Sequence, residues 1–121
     1  MKCYIVEDSA LIRGRTKYML SKIDGIDITG ASGYVDDAIE EIREKKPDIV
    51  ILDIRLNGGN GIDVLKKIKE EKPETTVIIF TNYMYPEYIS RCRELHADYF
   101  YDKSTDFNKL FDLISEKALS G

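Results

Sequence analysis

The stretch DIVILDIRLNGGNG, residues 48–61, decides how this chain is read. Ile49, Val50, Ile51 and Leu52 run without a polar break, the pattern of a strand covered on both faces. The run ends on a carboxylate, Asp53, and a loop holding Gly58, Gly59 and Gly61 follows. The three glycines are expected to permit backbone angles closed to other residues. A single carboxylate at a strand end is ordinarily a solvated loop residue. Its meaning depends on what else reaches the same edge.

Outward from this stretch, apolar runs alternate with helical patterns. KCYIV (2–6), IDITGAS (26–32), VIIF (77–80) and DYFYD (98–102) read as further strands. Ser9 is placed to cap a helix with Leu11, Ile12, Tyr18 and Met19 on its apolar face. Further helices are predicted over 36–46, 61–71, 86–96 and 105–118. Pro86 suits a first helical turn, and Phe107, Leu110, Phe111 and Ile114 share one face of the last helix. Lys46-Pro47 and Lys72-Pro73 mark helix exits. Strands alternating with helices imply an α/β fold, a parallel sheet with right-handed crossovers and helices on both faces. No linker, repeat or second domain interrupts residues 1–121.

Composition narrows the function. The 121 residues are 43% apolar and 33% charged, which suits one domain with its own core. A net charge of -4 argues against non-specific binding to nucleic acid or to an anionic membrane. No segment approaches the roughly 20 apolar residues that span a bilayer. The N-terminal MKCYIVED reaches acids too early for a secretory signal, so a cytoplasmic location is expected. Cys3 and Cys92 have neither metal-site nor redox spacing and read as reduced, structural residues.

Every strand of a parallel sheet ends on the same side, and ligands of open α/β sheets bind at that carboxyl edge. Glu7 and Asp8 follow the first strand, Asp53 the third, Thr81 the fourth and Lys103 the fifth. Carboxylates brought together repel, so a cation is expected among them. Mg2+ suits such an all-oxygen site and keeps waters and phosphate oxygens as further ligands. Lys103 offers a point charge for a phosphoryl oxygen and Thr81 a hydroxyl donor. These are the parts of phosphoryl transfer to an aspartate, where positioning and charge neutralisation do most of the catalysis. Each residue alone has a plainer reading: Asp8 as a helix cap, Lys103 as a surface lysine, Thr81 as a strand end. Their joint arrival at one edge does not.

YIVEDS (4–9), VILDIRL (50–56) with GGNGIDVL (58–65), VIIFTN (77–82) and ADYFYDKS (97–104) carry a resemblance to a known family. As a set they resemble the receiver domain of two-component response regulators, over nearly the whole chain. The resemblance implies a flavodoxin-like doubly wound five-stranded sheet with order 2-1-3-4-5. It implies one receiver domain over residues 1–121, similar to the single-domain chemotaxis regulators, or a piece of a longer regulator. It implies a signalling switch, not an enzyme. Asp53 would accept a phosphoryl group from a sensor histidine kinase or a phosphotransfer protein. Glu7, Asp8, Asp53 and the main-chain carbonyl of Arg55 would hold Mg2+. Thr81 and Lys103 would contact the phosphoryl group, and Phe100 would swing inward with Thr81. The fourth helix, fifth strand and fifth helix would form the output face, for a downstream protein or a second copy of the chain. Tyr83, Met84, Tyr85 and Tyr88 stand in that region, and aromatics and methionine are enriched at partner surfaces.

Three positions depart from the family's pattern. Asn57 stands where proline is common. Ser104 stands where proline usually follows the lysine, which argues against a cis peptide there. Phe100 has no hydroxyl, so its switching reports through packing alone. The alternatives belong to other classes. A Mg2+-dependent phosphatase with an aspartyl nucleophile would want a second acid two residues on, where Arg55 stands. A flavin-binding flavodoxin would want a hydroxyl- and glycine-rich loop after the first strand, where EDSALIR (7–13) is acidic. A receiver-like module that binds partners without phosphorylation would not need the full set of five groups.

Overall fold

Burial follows the apolar runs. The computed structural model describes residues 1–120. In chain order the elements are β1 (Lys2–Val6), α1 (Ala10–Ser21), β2 (Asp27–Ser32), α2 (Val35–Lys45), β3 (Ile49–Leu52), β4 (Arg55–Leu56), β5 (Gly59–Asn60), α3 (Gly61–Glu71), β6 (Thr76–Thr81), α4 (Pro86–Glu94), β7 (Tyr99–Asp102) and α5 (Phe107–Ser120). The main sheet runs β2-β1-β3-β6-β7 with every pair parallel. Counted along the chain, its strands stand in the order 2-1-3-4-5 that the family resemblance implies, in a flavodoxin-like α/β fold.

Alternation along the strands divides the core in two. Tyr4, Val6, Val50, Leu52, Val77 and Ile79 belong to one cluster, with Ala38 and Ile42 of α2, Val64, Leu65 and Ile68 of α3, and Cys92 of α4. Cys3, Ile5, Ile49, Ile51, Ile78 and Phe80 belong to the other, with Met19 and Leu20 of α1 and Leu110 and Ile114 of α5. β3 and β6 are therefore covered on both faces, which is why IVIL and VIIF carry no polar break. Burial pushes the Cys3 thiol up to about 12 and the Cys92 thiol up to about 11, so both stay protonated and inert.

Helix starts use the expected chemistry. Ser9 Oγ accepts the Ile12 N–H at 3.2 Å to cap α1. Asn60 Oδ1 accepts the Ile62 N–H at 2.8 Å to cap α3, and Pro86 opens α4. Among the described residues, no helix is long and apolar enough to cross a membrane.

One expectation needs correction. The buried face of α1 is Thr16, Met19 and Leu20, whereas Leu11 and Tyr18 are 72% and 66% exposed. Thr16 is tolerated inside because its Oγ1 donates to the Ile12 carbonyl at 2.8 Å, so the buried hydroxyl is satisfied within the helix. The loop beyond Asp53 is more than a flexible turn. β4 and β5 pair antiparallel across it, and Asn57 donates its N–H to the Gly33 carbonyl at 2.9 Å. A proline at position 57 would remove that donor.

Candidate functional site: an acidic pocket at the carboxyl edge

Strand pairing continues one step past the sheet and fixes the site. The Asp53 N–H donates to the Val6 carbonyl at 2.9 Å, and the Lys103 N–H donates to the Thr81 carbonyl at 3.1 Å. These two bonds set the residues after β3 and β7 beside the ends of β1 and β6. Lys103 Nζ then reaches Asp53 Oδ2 at 2.5 Å and pairs with Glu7 Oε1 as well. The three side chains are 8%, 3% and 4% exposed, so one ammonium faces two carboxylates out of water.

The remaining oxygens are also engaged. Asp53 Oδ1 accepts the Ile54 N–H at 2.7 Å, and Glu7 Oε2 accepts the Ser9 N–H at 3.1 Å. Burial pushes the Glu7 carboxyl up to about 7, with the Asp53 charge adding to the rise and the bonds from Lys103 and Ser9 opposing it. Burial works against the Lys103 charge, yet its bonds to Asp53 and Glu7 prevail and hold it above the ordinary lysine value. Asp8 is exposed at the rim. Glu7, Asp8 and Asp53 each offer a carboxylate oxygen within 4.8 Å of the others. Three acids sharing one buried ammonium leave negative charge in excess, and an all-oxygen donor set of that kind fits a hard divalent cation.

The other expected residues lie close by. Thr81 ends β6, is fully buried, and its Oγ1 accepts the Tyr83 N–H at 3.1 Å. Phe100 lies in β7, half-buried against the α4 side of the core. It pairs with Ile79, two rungs before the Thr81–Asp102 pair, and the Arg93 guanidinium lies 5.6 Å from its ring centre. Arg55 opens β4 with its side chain exposed. Ser104 donates its N–H to Asp102 Oδ1 at 2.8 Å, and every described peptide bond is trans.

The glycine reading holds in part. Gly58 and Gly59 have φ of 80° and 151°, where side chains are strained. Gly61 has no such angle. A Cβ there would collide with the Asp53 carbonyl oxygen, and the Gly61 N–H donates to the Ile54 carbonyl at 2.5 Å. Gly61 is needed because the start of α3 passes directly over the backbone of the acidic residue.

Residues 3–115 match the family described as the response regulator receiver domain. The chain belongs to that family. It is a signalling receiver domain, not an enzyme in the ordinary sense. Sensory transduction protein LytT of Bacillus anthracis is 35% identical over 83 residues, which cover 69% of this chain and 34% of that protein. The receiver thus spans about a third of that relative's length. A DNA-binding response regulator of the LuxR family from Staphylococcus aureus superposes with a TM-score of 0.88 at 26% identity, over 97% of this chain and 98% of that one. A CheX–CheY–BeF3–Mg+2 complex from Borrelia burgdorferi superposes with a TM-score of 0.87 at 22% identity, covering 97% and 88%. At that identity the likeness shows the fold alone.

Sequence reasoning missed two features of this receiver. Arg13 of α1 reaches back, and its Nη1 donates to the Glu7 carbonyl at 2.7 Å and the Asp8 carbonyl at 3.1 Å. It ties down the backbone of the acidic pair, and one arginine a turn after the cap was the available signal. The Arg55 guanidinium lies 4.3 Å from the centre of the Tyr83 ring. Their offsets of two residues from Asp53 and Thr81 place both beside the pocket, but not in contact with each other, which the fold alone brings about.

Proposed function

We propose that this receiver is a phosphorylation-driven switch of a cytoplasmic two-component system, with Asp53 as the phosphoryl acceptor. One observation carries the reading: the buried Asp53 carboxylate is held by Lys103 in the same pocket as Glu7, Asp8 and Thr81. In the transfer, an Asp53 oxygen bonds to phosphorus while the bond from phosphorus to the donor's imidazole nitrogen breaks. The imidazole keeps the electron pair and takes a proton.

Each residue has a task in that step. Lys103 already sits on Asp53 and can turn its charge to the incoming phosphoryl oxygens. Thr81 Oγ1 accepts from Tyr83, which leaves its hydroxyl proton for a phosphoryl oxygen. Mg2+ would be held by Glu7, Asp8, Asp53 and the Arg55 carbonyl. When bound it would supply charge neutralisation on the phosphoryl oxygens. A phosphatase acting on small substrates would place an acid where Arg55 stands, and a guanidinium cannot donate a proton at neutral pH.

The phosphoryl group biases the switch by contacting Thr81 differently in its two arrangements, with Phe100 repacking. Phosphoryl donors are a sensor histidine kinase or a phosphotransfer protein. The output face is α4, β7 and α5, and a downstream protein or a second copy binds there. Sedimentation with and without beryllofluoride separates those two partners, since only self-association raises the mass of the isolated chain.

The test is intact-mass analysis after incubation with acetyl phosphate and Mg2+. Wild type gains one phosphoryl mass that requires Mg2+, and Asp53→Asn gains none. Equal labelling of Asp53→Asn would place the nucleophile elsewhere.

A further inference from the structure

Arg55 and Tyr83 stand two residues beyond Asp53 and Thr81 respectively, on neighbouring segments of the carboxyl edge. The exposed Arg55 guanidinium lies on the Tyr83 ring, 4.3 Å from its centre, and among the described residues Arg55 makes no ion pair. The Tyr83 N–H is bonded to Thr81 Oγ1. From Tyr83 the aromatic contacts continue. The Tyr83 and Tyr85 rings are 6.4 Å apart and the Tyr85 and Tyr88 rings 5.6 Å apart, both pairs tilted. Tyr88 packs against the same apolar cluster as Phe100. Tyr85 is the N-cap residue of α4 and offers no side-chain cap, and its ring lies between those of Tyr83 and Tyr88. One cation therefore stands at the head of a run of rings leading from the pocket to α4.

We infer that Arg55 is a phosphoryl-binding residue that exchanges partners. With Asp53 unmodified its guanidinium lies on Tyr83. With Asp53 phosphorylated it moves onto the phosphoryl oxygens, and the freed Tyr83 loosens Tyr85, Tyr88 and the start of α4. The inference rests on Asp53 being the acceptor. Its physical basis is a difference in strength. An exposed cation–π contact is weak, whereas a guanidinium on phosphate makes charge-assisted, paired hydrogen bonds that suit its planar fork. A ligand shifts an equilibrium only through contacts that differ between the two states, and Arg55 has a different partner in each.

The test uses the whole chain with beryllofluoride and Mg2+, the fluoride adduct standing in for the phosphoryl group on Asp53. Two measurements are made on wild type, Arg55→Gln and Tyr83→Leu: beryllofluoride affinity, and amide hydrogen exchange over residues 83–90. The two variants should shift affinity in opposite directions. Arg55→Gln should bind the adduct several-fold more weakly. Tyr83→Leu should bind it more tightly, because the guanidinium no longer has a competing partner. Exchange near the start of α4 should rise several-fold on adduct formation in wild type. In both variants it should be fast beforehand and change no further. Wild-type binding with equal affinity and equal exchange in all three proteins would overturn the partner exchange alone. Failure of wild type to bind the adduct would overturn it together with the assignment of Asp53.

Discussion

Lys103 Nζ lies 2.5 Å from Asp53 Oδ2 while also pairing with Glu7, so a single ammonium compensates two buried carboxylates contributed by other strands. Removing it leaves both acids without a counter-charge. Breaking a buried pair from one side costs about 3–5 kcal/mol. Glu7 can escape part of that cost by taking up a proton, since its carboxyl already titrates near 7 with Lys103 present. Lys103→Met should therefore lose more stability relative to wild type at about pH 8 than at about pH 6 in metal-free buffer. Urea unfolding at the two pH values measures this, and a pH-independent difference would count against the shared ammonium.

Mg2+ should stabilise the wild-type receiver, because it relieves repulsion among Glu7, Asp8 and Asp53. At ten times its dissociation constant a bound ion adds about 1.4 kcal/mol. Asp8 is exposed, so Asp8→Ala should fold normally and lose most of this gain. Melting curves with and without Mg2+ decide it. An undiminished shift in Asp8→Ala would remove Asp8 from the ligand set.

Two glycines should respond oppositely to the same substitution. Gly14 lies in α1 with nothing within 4 Å of an added Cβ, so Gly14→Ala should stabilise by about 0.5–1 kcal/mol. Gly61→Ala drives a methyl group into the Asp53 carbonyl and should cost at least about 1–3 kcal/mol. It should also slow phosphorylation by displacing Asp53. Denaturation midpoints and acetyl phosphate labelling rates check both.

The phosphorylated state should be long-lived. Arg55 and Tyr83 are bulky and lie together beside the pocket, Arg55 against the phosphoryl oxygens once Asp53 is modified, and neither is a base that would orient an attacking water. Arg55→Asn combined with Tyr83→Glu should open the approach and speed loss of the phosphoryl group. A tenfold gain would need only about 1.4 kcal/mol. The decay of the phosphorylated mass after removal of the donor is the measurement. Decay at or below the wild-type rate would show that these side chains do not guard the water path.

Acid should weaken the anchor of β2. Lys45 donates to Glu41 at 3.0 Å and to the Thr29 carbonyl at 2.9 Å, and the Tyr4 hydroxyl donates to Glu41 at 2.9 Å. The Lys45 bond, with help from Tyr4, holds the Glu41 carboxyl below its ordinary 4.5. A depressed folded-state value gives stability that is present above the unfolded value and lost as pH falls through the folded one. The advantage of wild type over Glu41→Gln should thus be full near neutrality and vanish in acid below the ordinary carboxylate range. Chemical denaturation across that range tests the sign.

The sheet and the membership of its carboxyl edge were legible in the pattern of apolar runs. IVIL and VIIF read as strands covered on both faces, and the strands of a parallel sheet end on one side, which brings Glu7, Asp53, Thr81 and Lys103 together. Hydrophobic periodicity was less reliable on α1, where Leu11 and Tyr18 point to solvent and Thr16 is buried. The apolar residues of α1 fall in two clumps, Ala10–Ile12 and Tyr18–Leu20, instead of at helical spacing, so no single face dominates, and packing against β1 and β2 chose one. The rest came from packing between elements. It made Gly61 a matter of close approach, used the Asn57 N–H to tie the β4–β5 ribbon to Gly33, and laid Arg55 on Tyr83. It also put the Lys103 ammonium between carboxylates that lie 96 and 50 positions earlier in the chain, at Glu7 and Asp53. Periodicity reports which face of an element is covered. Contacts between the tips of long side chains depend on the register of neighbouring strands and the course of the loops beyond them, and that information exists only once the sheet has formed.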